Sequence, residues 1–93
     1  MLHHVFSVYD EKAEAYLPVF QLPTSPMATR IFGECVNSRE HQFGKHPGDY
    51  TLFVVGTFDD ETGEITTTKK TLGNGLDFKK PQDSVTDNPG GTD

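Results

Sequence analysis

Tyr50-Thr-Leu-Phe-Val-Val-Gly-Thr-Phe58 is the strongest strand signal in the chain. It is β-branched and aromatic almost throughout, and its apolar residues fall on both faces of the pleat. That pattern predicts a strand in the middle of a sheet. Downstream, Asp59-Asp-Glu-Thr-Gly63 is a turn with glycine near its end, and Glu64-Ile-Thr-Thr-Thr68 returns as a polar strand suited to an edge. Upstream, Val5-Phe-Ser-Val-Tyr9 is a second strand, followed by the polar turn Asp10-Glu-Lys12 and a weakly alternating strand over residues 13–20. Pro18 removes a backbone donor from that last run and confines it to an edge.

Between these halves lies one helix. Thr24 or Ser25 offers an oxygen to the free N–H groups of a helix start, and Pro26 fits the first helical position, where its missing N–H costs nothing. Met27, Ala28, Ile31, Phe32, Cys35 and Val36 recur at offsets of three and four, which places an apolar stripe along a helix over 26–36. Gly33 weakens that helix by roughly 1 kcal/mol relative to Ala, and Asn37 suits its end. Residues 38–49 read as a polar loop. Leu72, Leu76 and Phe78 are expected to pack back onto the domain, with Gly73 and Gly75 bending the chain. From Pro81 onward Val85 is the single apolar residue, which predicts a disordered, acidic tail over 81–93. The order β-β-α-β-β makes residues 1–80 one α+β domain, a helix packed on a small, mainly antiparallel sheet.

Ninety-three residues allow one domain, and a chain of this size buries only about 60–65% of its unfolded surface. The formal net charge is −6; Asp83, Asp87 and Asp93, with no Lys or Arg beside them, supply half of it. Such a balance excludes a protein that holds DNA by neutralising phosphates over its whole surface, so any nucleic-acid contact is local or shared with a partner. The lone cysteine, Cys35, excludes an internal disulfide. No apolar run is long enough to cross a membrane and no signal peptide is visible, which predicts the cytoplasm of the producing cell.

Val5-Phe-Ser-Val-Tyr-Asp10, Lys12-Ala-Glu-Ala-Tyr-Leu-Pro18, the helix with Ala28, Arg30, Phe32 and Val36-Asn37, then Gln42-Phe43, His46-Pro47 and Asp49-Tyr-Thr-Leu-Phe53 recur as a set. The set closes with Gly56-Thr-Phe-Asp-Asp60, Gly63 and Leu76-Asp-Phe-Lys79. In this the chain resembles the small non-structural, DNA-binding accessory protein of gokushoviruses, single-stranded-DNA phages of the Microviridae. The resemblance covers about residues 5–80 and is most specific from His46 to Asp60. It implies a non-virion protein of the infected bacterium's cytoplasm, acting in viral single-stranded DNA synthesis or packaging. It assigns no residue roles, and the His3-His4 start and the acidic tail lie outside its pattern.

The residues themselves offer few reactive constellations. Four histidines and one cysteine do not form a zinc spacing, and the histidines are expected to face solvent. Cys35 shares the helical stripe and reads as a small hydrophobe, not a nucleophile. Asp59, Asp60, Glu61 and Glu64 read as a solvated hairpin tip, and Gly73-Asn-Gly75 as a turn without a following helix. No metal, cofactor or catalysis is expected.

Seven Phe and three Tyr are the pattern that speaks to nucleic acid. Phe6, Phe32, Phe53 and Phe58 are assigned to the core, whereas Tyr9, Tyr16, Phe43 and Tyr50 are expected to be exposed. An exposed ring can stack a base. With neighbouring cations, the candidate DNA contacts are Tyr9, Lys12, Tyr16, Arg39, Phe43, Lys45, Lys69 and Lys70. Residues 64–80 hold four Lys against Glu64 and Asp77, a local excess of two positive charges. A second reading is a protein–protein adaptor that docks to viral replication, procapsid or host proteins. Strand addition at Glu64–Thr68 or at the proline-bearing strand would also permit a homodimer.

Overall fold

A strand of nine residues and one of ten, β1 (Leu2–Asp10) and β4 (Tyr50–Asp59), pair antiparallel along their whole length and form the centre of the sheet. The computed structural model describes residues 1–81; the tail expected beyond Pro81 lies outside them. One edge of β1 carries two short strands, β2 (Ala15–Tyr16) and β3 (Phe20–Leu22), and the far edge of β4 carries β5 (Ile65–Asn74). Every pairing is antiparallel. Val55 is an extra residue of β4 between the pairs Val5–Gly56 and Phe6–Val54, a bulge that switches the facing of the strand beyond it.

The single strand expected over residues 13–20 is divided. Pro18 has no N–H for the ladder, so pairing stops after Tyr16 and resumes at Phe20. The gap remains tied, because Leu17 N–H donates to the Val8 carbonyl at 2.8 Å and Ser7 Oγ donates to the Leu17 carbonyl at 2.7 Å. The last strand extends to Asn74 and does not end at Thr68, which puts Lys69 and Lys70 on the ladder.

Helix α1 (Ser25–Val36) starts at Thr24, whose Oγ1 accepts from Met27 N–H. It buries Ala28, Phe32 and Val36 against Phe6, Val8, Leu52 and Val54. Met27 and Ile31, assigned to the same apolar stripe, are each 43% exposed and mark its outer border. The segment read as a polar loop contains α2 (Gln42–Lys45) and a 3-10 turn (Pro47–Asp49). After β5 the chain does not simply bend but forms α3 (Gly75–Phe78), closed by a reciprocal cap: Leu76 N–H donates to Asn74 Oδ1 and Asn74 N–H to Asp77 Oδ2.

Asn37 locks this end in place. Its Nδ2 donates to the Gly33 and Phe78 carbonyls at 2.8 and 2.9 Å, and its Oδ1 accepts from Lys80 N–H. Phe78 meets Phe32 edge-on, 5.6 Å between centroids. A methyl group at Gly33 would lie 3.8 Å from the Phe78 ring, an ordinary contact. Gly33→Ala is therefore expected to stabilise the protein by about 0.5–1 kcal/mol through helix propensity, read as a higher urea midpoint at unchanged slope.

Candidate nucleic-acid interface

Helices α2 and α3 both contact α1, so the helical layer covers one face of the sheet. Alternation then sorts the strands. Phe6, Val8, Tyr50, Leu52 and Val54 turn toward the helices and are buried. Tyr9 and Phe53 turn the other way and are half-buried. Tyr16, paired with Tyr9 across the β1–β2 hairpin, is 41% exposed.

Three rings form a row on this open face. Tyr9 and Tyr16 lie 4.9 Å apart, and Tyr16 meets Phe53 edge-on at 5.6 Å. Lys69, from β5, places its Nζ 4.8 Å from the Tyr16 centroid and 5.5 Å from that of Phe53. Both distances lie within cation–π range. The row exists because β1 and β4 set Ser7 opposite Phe53, the next pair sets Tyr9 opposite Thr51, and Tyr16 sits beside Tyr9 on the outer strand.

Of the eight candidates, Tyr9, Tyr16 and Lys69 come together. Lys12 is exposed in the turn that closes the β1–β2 hairpin, next to the Tyr9–Tyr16 pair, and Asp10 holds that turn by accepting from Lys12 and Ala13 N–H. Glu11 and Glu14 share the turn, so its charge is not positive. The other four lie elsewhere. Lys70 pairs with Val54 and turns to the helical side. Arg39 lies between α1 and α2, and Lys45 ends α2.

Phe43 corrects the expected exposure. Its ring is 9% exposed, packed 5.5 Å from Phe32 and 4.5 Å from Tyr50, because α2 turns its one large apolar side chain into the core. Tyr50 is buried as well, and burial, with Asp10 and Asp49 adding to it, raises its phenol above the ordinary value. Phe53 and Phe58, assigned to the core, are instead half-buried on the open face. Phe53 is the ring that sequence reasoning missed. Alternation sets Tyr50, Leu52 and Val54 against Thr51 and Phe53 and so separates the two faces, but it does not say which of them the helices cover.

The remaining candidates are engaged in structure. His3 Nε2 lies 2.8 Å from Asp60 Oδ2, and His41 Nδ1 accepts from Phe43 N–H at the start of α2, so these two histidines do not simply face solvent. Hydrogen bonds from the terminal ammonium and from His3 hold the Asp60 carboxyl below its ordinary value. Burial, helped by the charge of Glu34, raises the Cys35 thiol, which disfavours the nucleophilic thiolate. Among the described residues no three His, Cys, Asp or Glu side chains gather as a metal site, and no helix is long and apolar enough to cross a membrane.

A model of the family described as phage ORF5 protein matches residues 3–78. The chain belongs to that family. The match runs from β1 to the last residue of α3, so the ring row and Lys69 of this phage ORF5 family member fall inside it. No curated protein and no solved structure matches the chain. The open face offers stacking surfaces and an ammonium group, which is the equipment for holding a flat, negatively charged ligand.

Proposed function

We propose that this phage protein is a non-enzymatic, non-structural accessory protein of a gokushovirus-type phage that binds viral single-stranded DNA in the host cytoplasm during genome synthesis or packaging. The observation that carries this reading is the row Tyr9–Tyr16–Phe53 on the open face, with the Lys69 ammonium over two of its rings. A base that stacks on Tyr16 or Phe53 takes the place of that ammonium, which swings outward to a phosphate. Stacking accepts any base, so the reading predicts little sequence preference. It also favours single strands, because a duplex does not present its base faces.

Net acidity limits the electrostatic part. Lys69 and Lys12 are the cations near the rings, and two phosphate contacts on a single strand give a log–log salt slope of about −1.4. Fluorescence anisotropy with labelled oligo-dT, started at about 50 mM salt where phosphate contacts still matter, is expected to show weak binding with that shallow slope. Lys69→Ala is expected to reduce the slope by about half. No binding at high micromolar protein, or equal affinity for duplex of the same length, would contradict the proposal.

A further inference from the structure

The outer edge of β5 pairs with no other strand among the described residues, and every residue from Ile65 to Thr71 is exposed. The strand is ten residues long and holds no proline; its register with β4 shifts at Leu72 and at Thr68–Lys69, but its outward N–H and C=O groups have no strand partner among the described residues and can receive another strand. We infer that β5 pairs antiparallel with β5 of a second copy of this chain, centred on Thr67, and so joins two sheets into one.

The two-fold axis of such a dimer stands perpendicular to the sheet, keeps both open faces on the same side, and sets one residue opposite its own copy. Among the residues from Thr66 to Lys70, in the middle of the exposed stretch, the charges favour one. Centring on Lys69 or Lys70 puts each lysine against itself, which is repulsive. Centring on Thr68 leaves Lys69 and Lys70 opposite Thr67 and Thr66. Centring on Thr66 pushes both lysines past the start of the facing strand. Centring on Thr67 sets Glu64 opposite Lys70 twice, once on each side of the axis, with threonines meeting between them. Neither Glu64 nor Lys70 has an ion-pair partner within its own chain among the described residues. The lysines that block other registers thus leave this one open.

On the open face the same register puts the exposed Ile65 of one copy beside the alkyl stem of Lys69 of the other, and two ring rows share one surface. The pairing does not depend on DNA contact and is tested without DNA. Sedimentation velocity of the full chain from roughly 5 to 500 μM, which brackets a weak, micromolar dissociation constant, is expected to show a monomer–dimer equilibrium. Glu64→Lys and Lys70→Glu, each on the exposed strand, should weaken it by roughly 5- to 30-fold, because both symmetric pairs turn repulsive. The double variant should return to within about 3-fold of the parent, since it restores opposite charges at the same positions. A monomer over the whole range, or a double variant no tighter than the singles, would overturn the inference.

Discussion

Tyr16→Ala is expected to weaken binding of single-stranded oligo-dT by roughly 5- to 150-fold, the equivalent of one lost base stack. Tyr16 is the centre of the row: it touches Tyr9 on one side and Phe53 on the other, and it carries the closer contact to Lys69. Removing it deletes a stacking surface and releases the ammonium from its position. Stability should fall by about 1–2 kcal/mol, because the ring is 41% exposed but makes two aromatic pairs, each worth roughly 0.5–1.5 kcal/mol beyond area. Phe43→Ala should do the reverse. That ring is wedged between Phe32 and Tyr50 under α2, so its loss should cost about 3 kcal/mol while the affinity of the molecules that remain folded stays unchanged. Anisotropy titrations beside urea melts of the two variants check the pair. Equal effects of both variants on affinity would remove the ring row from the account.

Gly75→Ala is expected to destabilise the protein by about 2–3 kcal/mol, as overpacking of a closed site does. Gly75 is buried where α3 meets the 3-10 turn, and a methyl group there would overlap the Pro47 carbonyl oxygen and come within 2.8 Å of its carbon and 2.9 Å of Pro47 Cα. Those atoms are backbone and cannot rotate aside. Asn74 fastens the same junction, donating from Nδ2 to the Gly48 carbonyl and Thr51 Oγ1 at 3.1 and 3.0 Å. Forcing α3 away therefore loosens the end of β5 and withdraws Phe78 from Phe32. The contrast with Gly33→Ala is informative, since the same methyl group is expected to raise the urea midpoint in one place and lower it in the other. A Gly75→Ala protein as stable as the parent would show that α3 does not dock as described.

The central strands and the helix were legible in the sequence because burial leaves a pattern. Val5–Tyr9 and Tyr50–Phe58 are apolar where the sheet is covered, and Ala28, Phe32 and Val36 follow the helical period because α1 lies on that cover. The C-terminal half of β5 was not legible. The stretch from Thr68 to Thr71 is exposed, so nothing demands apolar residues there, and Thr-Lys-Lys-Thr carries no alternation to read. Helix α2 was missed for a related reason: four residues hold a single buried side chain, Phe43, and one point has no period. For α3 a signal was present, since Asn74 and Asp77 at three-residue spacing are a helix-start pattern.

The candidate site was legible in part. Tyr9 and Tyr16 could be placed on the open side from strand alternation, because both belong to a hairpin with a short turn. Phe53 could not, as a strand apolar on both faces does not say which face the helix covers. Lysines near one another in sequence did not predict lysines near one another in space. Lys69 and Lys70 are neighbours in the chain, and for that very reason strand geometry sends them to opposite faces.

Titration of isotope-labelled protein with oligo-dT, followed by amide and aromatic NMR shifts, locates the DNA contact residue by residue. Binding on the open face predicts that the largest shifts fall on Tyr9, Tyr16, Phe53 and Lys69, while Ala28, Phe32 and Val36 stay in place. Shifts centred instead on Arg39 and Lys45 beside α2, or none at saturating DNA, would contradict it.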